Sequence, residues 1–216
     1  MDFLQQLWNA SEPVYKEIIE HPFNTELAAG TLDPGKFRFY VSQDAVYIGE
    51  YSRALAVLAA RAADHSTLIE FIDFAKEGLG IERALHDHFM DAFQVKKAET
   101  LALSTEAYAN FLLTTVAYKS FEEGLAALLP CFWLYNEVAL DIRQKATSGN
   151  PYQKWIDTYA GVEFDATTKR LKDLTNEMAS EAAASRRNSM LQLFVRSARY
   201  EWFFWDSAYQ ERYWVR

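Results

Sequence analysis

Apolar positions recur along this chain at steps of three and four over nearly its whole length, the spacing of helices that bury one face. Leu4, Leu7 and Trp8, then Val14, Tyr15 and Ile18, carry the first such face. Ser11-Glu12-Pro13 offers a break in it and His21-Pro22 ends it. Asn24 to Ala29 reads as a short helix closed by Gly30 in a left-handed cap. Asp33-Pro34 combines an N-cap with a proline at the first helical position, opening a helix expected to run to about Ala63. Thr67 with Glu70 has the capping-box pattern and precedes a helix through Phe71, Phe74, Leu79, Leu85 and Phe89, weakened in its middle by Gly78 and Gly80. Ser104 or Thr105 starts the next helix, with Tyr108, Leu112 and Val116 on its inner face. Ser120-Phe121-Glu122-Glu123 is a further capping box, and its apolar run reaches about Arg143. Beyond a turn at Ser148-Gly149-Asn150-Pro151, Tyr152, Trp155 and Tyr159 form an aromatic face on a short helix ended near Gly161. Asp165 is the expected cap of a helix through Leu171, Leu174 and Met178, and Ala179 to Ala184 lead into the last one.

Three irregularities in this pattern carry the candidate chemistry. Pro130 falls well inside a helix, where it removes a hydrogen bond and crowds the carbonyl four residues back at a cost of about 3 kcal/mol. A kink is expected there. Cys131, the only cysteine, follows directly, with Tyr135 one turn later on the same face. A lone buried cysteine is ordinarily a small core hydrophobe. As a nucleophile it would draw on N–H groups freed at the kink, which would lower its pKa. Secondly, Tyr40, Asp44, Tyr47 and Tyr51 follow i, i+4, i+7, i+11 on one face. An aromatic stripe at that spacing is usually core, but a carboxylate inside it needs a partner or a function. Thirdly, Leu191, Phe194, Ala198, Glu201 and Trp205 form a seam that contains a glutamate flanked by Trp202, Phe203 and Phe204. Most helical glutamates are solvated; these neighbours favour a buried, functional one.

Composition narrows the picture. Half the residues are hydrophobic and 15% are aromatic, while glycine and proline are few, so long helices in one core are expected rather than strands and turns. Without a composition shift or repeat, residues 1–216 read as a single domain. The net charge of −8 argues against nucleic acid and against an anionic membrane surface as partners. One cysteine excludes an internal disulfide and fits a reduced cytoplasm. Met1-Asp2-Phe3-Leu4 lacks the features of a signal peptide, and no uninterrupted apolar run reaches transmembrane length. There is no Gly-rich phosphate loop, nucleophile elbow or zinc-binding cysteine pair. A di-iron bundle would need Glu-x-x-His on facing helices. Glu17/His21 and Glu82/His86 are spaced by four, and His86 and His88 point to different sides, so neither metal nor other cofactor is expected. What remains is one thiol, two seam carboxylates and inward tyrosines. That set suits addition to an electron-poor ring and proton transfer, with a flat heteroaromatic ligand among the tyrosines.

The order and spacing of His21-Pro22-Phe23, Gly30-Thr31-Leu32, Gln43-Asp44-Ala45-Val46-Tyr47, Pro130-Cys131-Phe132-Trp133-Leu134-Tyr135, Tyr152-Gln153-Lys154-Trp155 and the Glu201 helix resemble the TenA family nearly end to end. This is the thiaminase II or aminopyrimidine aminohydrolase group. The resemblance implies an all-α, haem-oxygenase-like bundle that binds no haem and usually assembles as a homotetramer. It implies a thiamin-salvage step, hydrolysis of 4-amino-5-aminomethyl-2-methylpyrimidine to the hydroxymethyl pyrimidine and ammonia; many members also cleave thiamin. The family's nucleophile falls on Cys131, its acid/base glutamate on Glu201, and the carboxylate that binds the pyrimidine and supports the thiol on Asp44. Pocket aromatics fall on Tyr47, Tyr108, Tyr135 and Tyr159. A related branch lacks the cysteine, so Cys131 implies the cysteine branch. Leu103 stands where the family usually has proline, and Ala139 where it often has glycine. Two rival readings stand beside this one: a pyrimidine-binding or regulatory protein without turnover, and a metal-dependent oxidase on the same fold, which the histidine spacing disfavours. Under the main reading, Cys131, Asp44 and Glu201 converge on one cavity large enough for a pyrimidine, with the thiol and the Glu201 carboxylate on opposite edges.

Overall fold

Free backbone N–H groups at helix starts are taken up by polar side chains in several places along this chain. His21 Nδ1 accepts the N–H of Phe23 at 3.1 Å, and the Asp33 carboxylate accepts that of Gly35 at 2.7 Å. Ser120 and Glu123 complete a reciprocal capping box. A computed structural model describes residues 2–95, 98 and 100–213, without the side chains at 82, 86, 90 and 91. Among the described residues there are nine helices and no strand. They are α1 (Phe3–Ile19), α2 (Pro22–Ala29), α3 (Pro34–Ala59), α4 (His65–Phe93), α5 (Leu103–Tyr118), α6 (Phe121–Lys145), α7 (Gln153–Tyr159), α8 (Val162–Glu181) and α9 (Ala184–Tyr209).

Several boundaries differ from those the pattern predicts. Pro13 does not interrupt α1, because Leu7 and Ile18 on either side of it are both fully buried and packing outweighs one missing hydrogen bond. α3 ends at Ala59 rather than about Ala63. Asp64, not Thr67, caps α4: its carboxylate accepts the Thr67 N–H at 2.9 Å, while Glu70 pairs with Arg170 of α8. Leu79 is exposed rather than inward. α8 starts at Val162 behind Gly161, leaving Asp165 in the first turn, where its charge suits the helix dipole.

The start of α5 is held from another helix. Ala102 has no side chain with which to cap it. Gln43 of α3 does so instead, its Oε1 accepting the Ala102 N–H at 2.9 Å and its Nε2 donating to the Thr100 carbonyl at 3.0 Å. Gln43→Leu would keep the volume and orphan that buried N–H. The expected loss is about 1–3 kcal/mol. A urea midpoint equal to that of the unsubstituted protein would show that this bridge carries no stability.

α6 is the axis. It packs on α9, α8 and α5 and also touches α7, α2, α1 and α3. Its residues from Glu123 to Asn136 are buried without interruption. By length and composition α6 could cross a membrane, although Asn136, Glu137 and Asp141 interrupt its apolar run, and 83% of its apolar window is buried inside the bundle, as befits a core helix. Pro130 does not end it.

Candidate active site

Five elements wall one small cavity. α3 contributes Asp44, Tyr47, Ile48 and Tyr51; α4 contributes Gly78 and Ile81; α6 contributes Cys131, Phe132 and Tyr135. Tyr159 of α7 and Phe164 of α8 close the far side. About 30 Å³ is open to the centres of water molecules, within about 480 Å³ of atom-free space that includes the mouth. A single small ring would fill it. The larger groove beside α9, about 790 Å³, is open to solvent and holds no thiol or carboxylate, only Arg196 and Arg199 among its charged residues.

Helical spacing places these groups. Asp44 and Tyr47 lie one turn apart on α3, as Cys131 and Tyr135 do on α6, and the two faces meet. Tyr51 of α3 donates to the Leu128 carbonyl at 2.8 Å, and Phe132 of α6 stacks on Phe164. Tyr135 is held by contacts to Trp205 and Tyr159. Tyr40 lies flat on Trp205, at 5.0 Å and 8°, and receives the Trp155 indole N–H. Aromatic packing of this kind fixes rings that could otherwise turn into the cavity.

Of the residues singled out from the sequence, Asp44, Tyr47, Cys131, Tyr135 and Tyr159 line the cavity together. Glu201 and Tyr108 do not. They lie behind Tyr47, whose ring stacks on Tyr108 at 4.9 Å, and the Tyr108 hydroxyl oxygen lies at hydrogen-bond distance, 2.6 Å, from Glu201 Oε1. The expected arrangement, with thiol and carboxylate on opposite edges of one cavity, is therefore not what is observed. Glu201 sits on the buried face of α9, one layer back. Leu103 and Ala139 are both off the cavity wall. Sequence reasoning missed Ile48, Tyr51, Gly78, Ile81, Phe132 and Phe164 as lining residues. Tyr51 was visible in the α3 stripe, and Gly78 stood out without an assigned role. A side chain at Gly78 would project toward Ser52 at an ordinary 3.6 Å, so its absence leaves room at the wall rather than relieving a clash.

Burial dominates the electrostatics. Glu201 is 1% exposed, and its pKa is pushed up to about 8 by burial and by Asp44, against the hydrogen bond from Tyr108. Burial also raises the Cys131 thiol well above its ordinary value, and the Glu201 and Asp44 charges add to this. The expected lowering at the proline is thus overturned: desolvation in the core outweighs any N–H freed in α6. The Tyr47 hydroxyl is buried without a hydrogen-bond partner in ordinary geometry, yet lies close enough to the sulfur to favour the thiolate. An unpaired donor beside a thiol on a cavity wall is a place for a polar ligand. Among the described residues, no group of three or more His, Cys, Asp and Glu side chains is disposed to hold a metal ion.

Comparison with known proteins identifies the family. The model of the TENA/THI-4/PQQC family matches residues 8–211. The aminopyrimidine aminohydrolase of Bacillus subtilis is 32% identical over 219 residues, covering 99% of this chain and 92% of its own. The thiamine biosynthesis multifunctional protein ThiED of Corynebacterium glutamicum is 35% identical over 206 residues; the match takes in 95% of this chain but only 27% of that longer protein. Among solved structures, a TenA homologue from P. horikoshii OT3 superposes with a TM-score of 0.89 at 30% identity, covering 97% of this chain and 99% of its own. A Shewanella denitrificans domain with a heme oxygenase-like fold superposes at 0.72 and 15% identity, covering 96% and 92%, and shares the fold alone. An all-α, heme oxygenase-like bundle, matched by this model along almost its full length, makes the chain a member of the TENA/THI-4/PQQC family.

Proposed function

We propose that this protein is an aminopyrimidine aminohydrolase of thiamin salvage, with residues 1–216 as one catalytic unit. The observation that carries the reading is the single thiol, Cys131, on the wall of a ring-sized aromatic cavity, with Asp44 beside it and Glu201 behind. The full-length match to the B. subtilis aminohydrolase supports it. Cavity size favours the single-ring aminopyrimidine over thiamin as substrate.

In this reading Asp44 and the Tyr47 hydroxyl hold the pyrimidine, with Tyr135 and Tyr159 against its faces and Tyr108 bracing Glu201. The Cys131 thiol gives its proton to Asp44 and its sulfur adds to the ring carbon beside the substituted one, forming a C–S bond as the Tyr47 hydroxyl gives its proton to a ring nitrogen and takes one from Glu201 behind it. The aminomethyl nitrogen takes the proton from Asp44 and its C–N bond breaks, the electron pair leaving with nitrogen as ammonia. Water adds to the exocyclic methylene and gives a proton to Asp44, the ring nitrogen returns its proton to Glu201 by way of Tyr47, and the C–S bond breaks with its electron pair on sulfur, which takes the Asp44 proton as the hydroxymethyl product leaves. Protonated Glu201 also removes the larger of the two charges that oppose a thiolate at Cys131. The expected assembly is a homotetramer, for which exposed Ile69, Ile72 and Leu79 on α4 offer apolar surface, acting in a cytoplasm that keeps the thiol reduced.

Ammonia release from the aminopyrimidine, with mass-spectrometric detection of the hydroxymethyl product, tests this. Binding without turnover would replace it with the regulatory reading. No metal takes part in this chemistry, so turnover after exhaustive chelation is expected to match the untreated rate. Restoration of lost activity by added iron or manganese would promote the oxidase reading instead.

A further inference from the structure

Three buried oxygen–oxygen contacts run in series from Glu201 into the core. Glu201 Oε1 lies 2.6 Å from Tyr108 Oη, Tyr108 Oη lies 2.8 Å from Ser197 Oγ, and Ser197 Oγ lies 2.7 Å from the Ala127 carbonyl oxygen. Each is a hydrogen-bond length and each requires one hydrogen. The carbonyl can only accept, and the two hydroxyls supply one hydrogen apiece. With Glu201 as a carboxylate, two hydrogens must serve three contacts. However the hydroxyls turn, one pair of oxygens faces without a hydrogen between them. With Glu201 as an acid, the count closes: Glu201 donates to Tyr108, Tyr108 to Ser197 and Ser197 to the carbonyl.

The oxygens cannot relax apart. The Tyr108 ring is clamped between Tyr47 and Tyr200, at 4.9 and 5.2 Å. Carbonyl 127 belongs to α6, and Ser197 and Glu201 share a face of α9 one turn apart. The chain ends at a backbone carbonyl in the core, so it stores the position of a proton and does not conduct one to solvent. Among the described residues, the other groups around Glu201 do not supply a counter-charge. α3 presents Asp44, Tyr40, Tyr47 and Tyr51, and α6 presents Cys131 and Tyr135. From α2, Glu26 engages Tyr209, while His21 faces Asp206; Tyr15 of α1 turns to the Glu137 carbonyl. Among the described residues, none of the groups acting on Glu201 is a cation.

We propose that Ser197 is a positioning residue which, through Tyr108 and the Ala127 carbonyl, holds a proton on Glu201 between turnovers. The proposal rests on the acid/base role given to Glu201 above. When Glu201 passes its proton by way of Tyr47 to the ring nitrogen, one contact in the chain loses its hydrogen, and closing it again draws a proton back to the carboxyl. A serine hydroxyl that no substrate touches thereby resets the acid.

Two measurements test this. In Ser197→Ala the hydrogen count is satisfied by a carboxylate, with Tyr108 donating to it. The proton affinity of Glu201 should fall by about tenfold or more, moving the alkaline limb of the kcat/KM profile to lower pH. Ser197→Thr keeps the hydroxyl and should restore the limb. An alkaline limb unmoved in Ser197→Ala overturns the proposal. Independently of activity, and of whether Ser197→Ala folds, the infrared spectrum of the unsubstituted protein at neutral pH should show a protonated carboxyl band that is absent in Glu201→Gln. Its absence from the unsubstituted protein overturns the proposal by itself. A band without ammonia release would sink the proposed activity and leave the hydrogen-bond chain standing.

Discussion

Cys131→Ser is expected to leave the bundle intact and to reduce turnover by roughly three orders of magnitude or more. The side chains are nearly isosteric, and position 131 is buried on α6, so circular dichroism and the melting midpoint should change little. Chemistry should change greatly. The site already opposes a thiolate chiefly through burial, to which the Asp44 charge adds. An alkoxide, with a far higher intrinsic pKa, would be out of reach there. Steady-state kinetics on the aminopyrimidine would decide the matter, and a serine variant near the unsubstituted rate would end the covalent mechanism. Substrate should still bind, because the aromatic walls and Asp44 are untouched. Mass spectrometry of quenched reactions would report the sulfur adduct directly.

Glu201→Gln is expected to split binding from catalysis. Glu201 lies one layer behind the cavity wall, so the variant should bind ligand within about tenfold of the unsubstituted protein, about 1.4 kcal/mol. Loss of the acid should lower kcat by about 10²–10⁴. A comparable fall in affinity and kcat would show a binding role only. The same variant carries a stability signature. In the unfolded chain Glu201 ionises near 4.5, whereas in the fold it keeps its proton up to about 8. Between those values the native state holds an extra proton, so this group makes stability fall as pH rises across that window, by several kcal/mol in order of magnitude. Below the window both states are protonated and the contribution is flat. Glutamine cannot ionise, and its amide N–H can donate to Tyr108 as the acid does. Its unfolding free energy should therefore lack the slope that the unsubstituted protein shows between pH 5 and 8. Equal slopes in the two proteins would mean that Glu201 is ionised in the native state.

Much of the architecture was legible along the chain because helices are written in local terms. The three-and-four spacing, the Ser120–Glu123 capping box, Gly30 past α2 and Pro34 at the start of α3 act within a few residues of themselves. The errors lie where a distant group intervened. Gln43 caps α5 from α3, packing carries α1 across Pro13, and Arg170 takes Glu70 away from the start of α4. No local pattern encodes a partner tens of residues away.

The site divides along the same line. Residue order shows that a lone thiol follows a proline inside an apolar helix, and that two carboxylates stand in aromatic seams. The residue order also carried the family resemblance. Tertiary structure alone decided which of these groups share a cavity. It set Glu201 behind Tyr47 rather than on the wall, and it reversed the direction in which the thiol pKa moves. The reason is physical. Which residues face the same way is a matter of helical periodicity, but protonation follows from desolvation and from the count of donors and acceptors in one buried place. Ser197 shows the limit: a serine on α9 gives no sign in sequence that its hydroxyl meets a tyrosine of α5 and a carbonyl of α6.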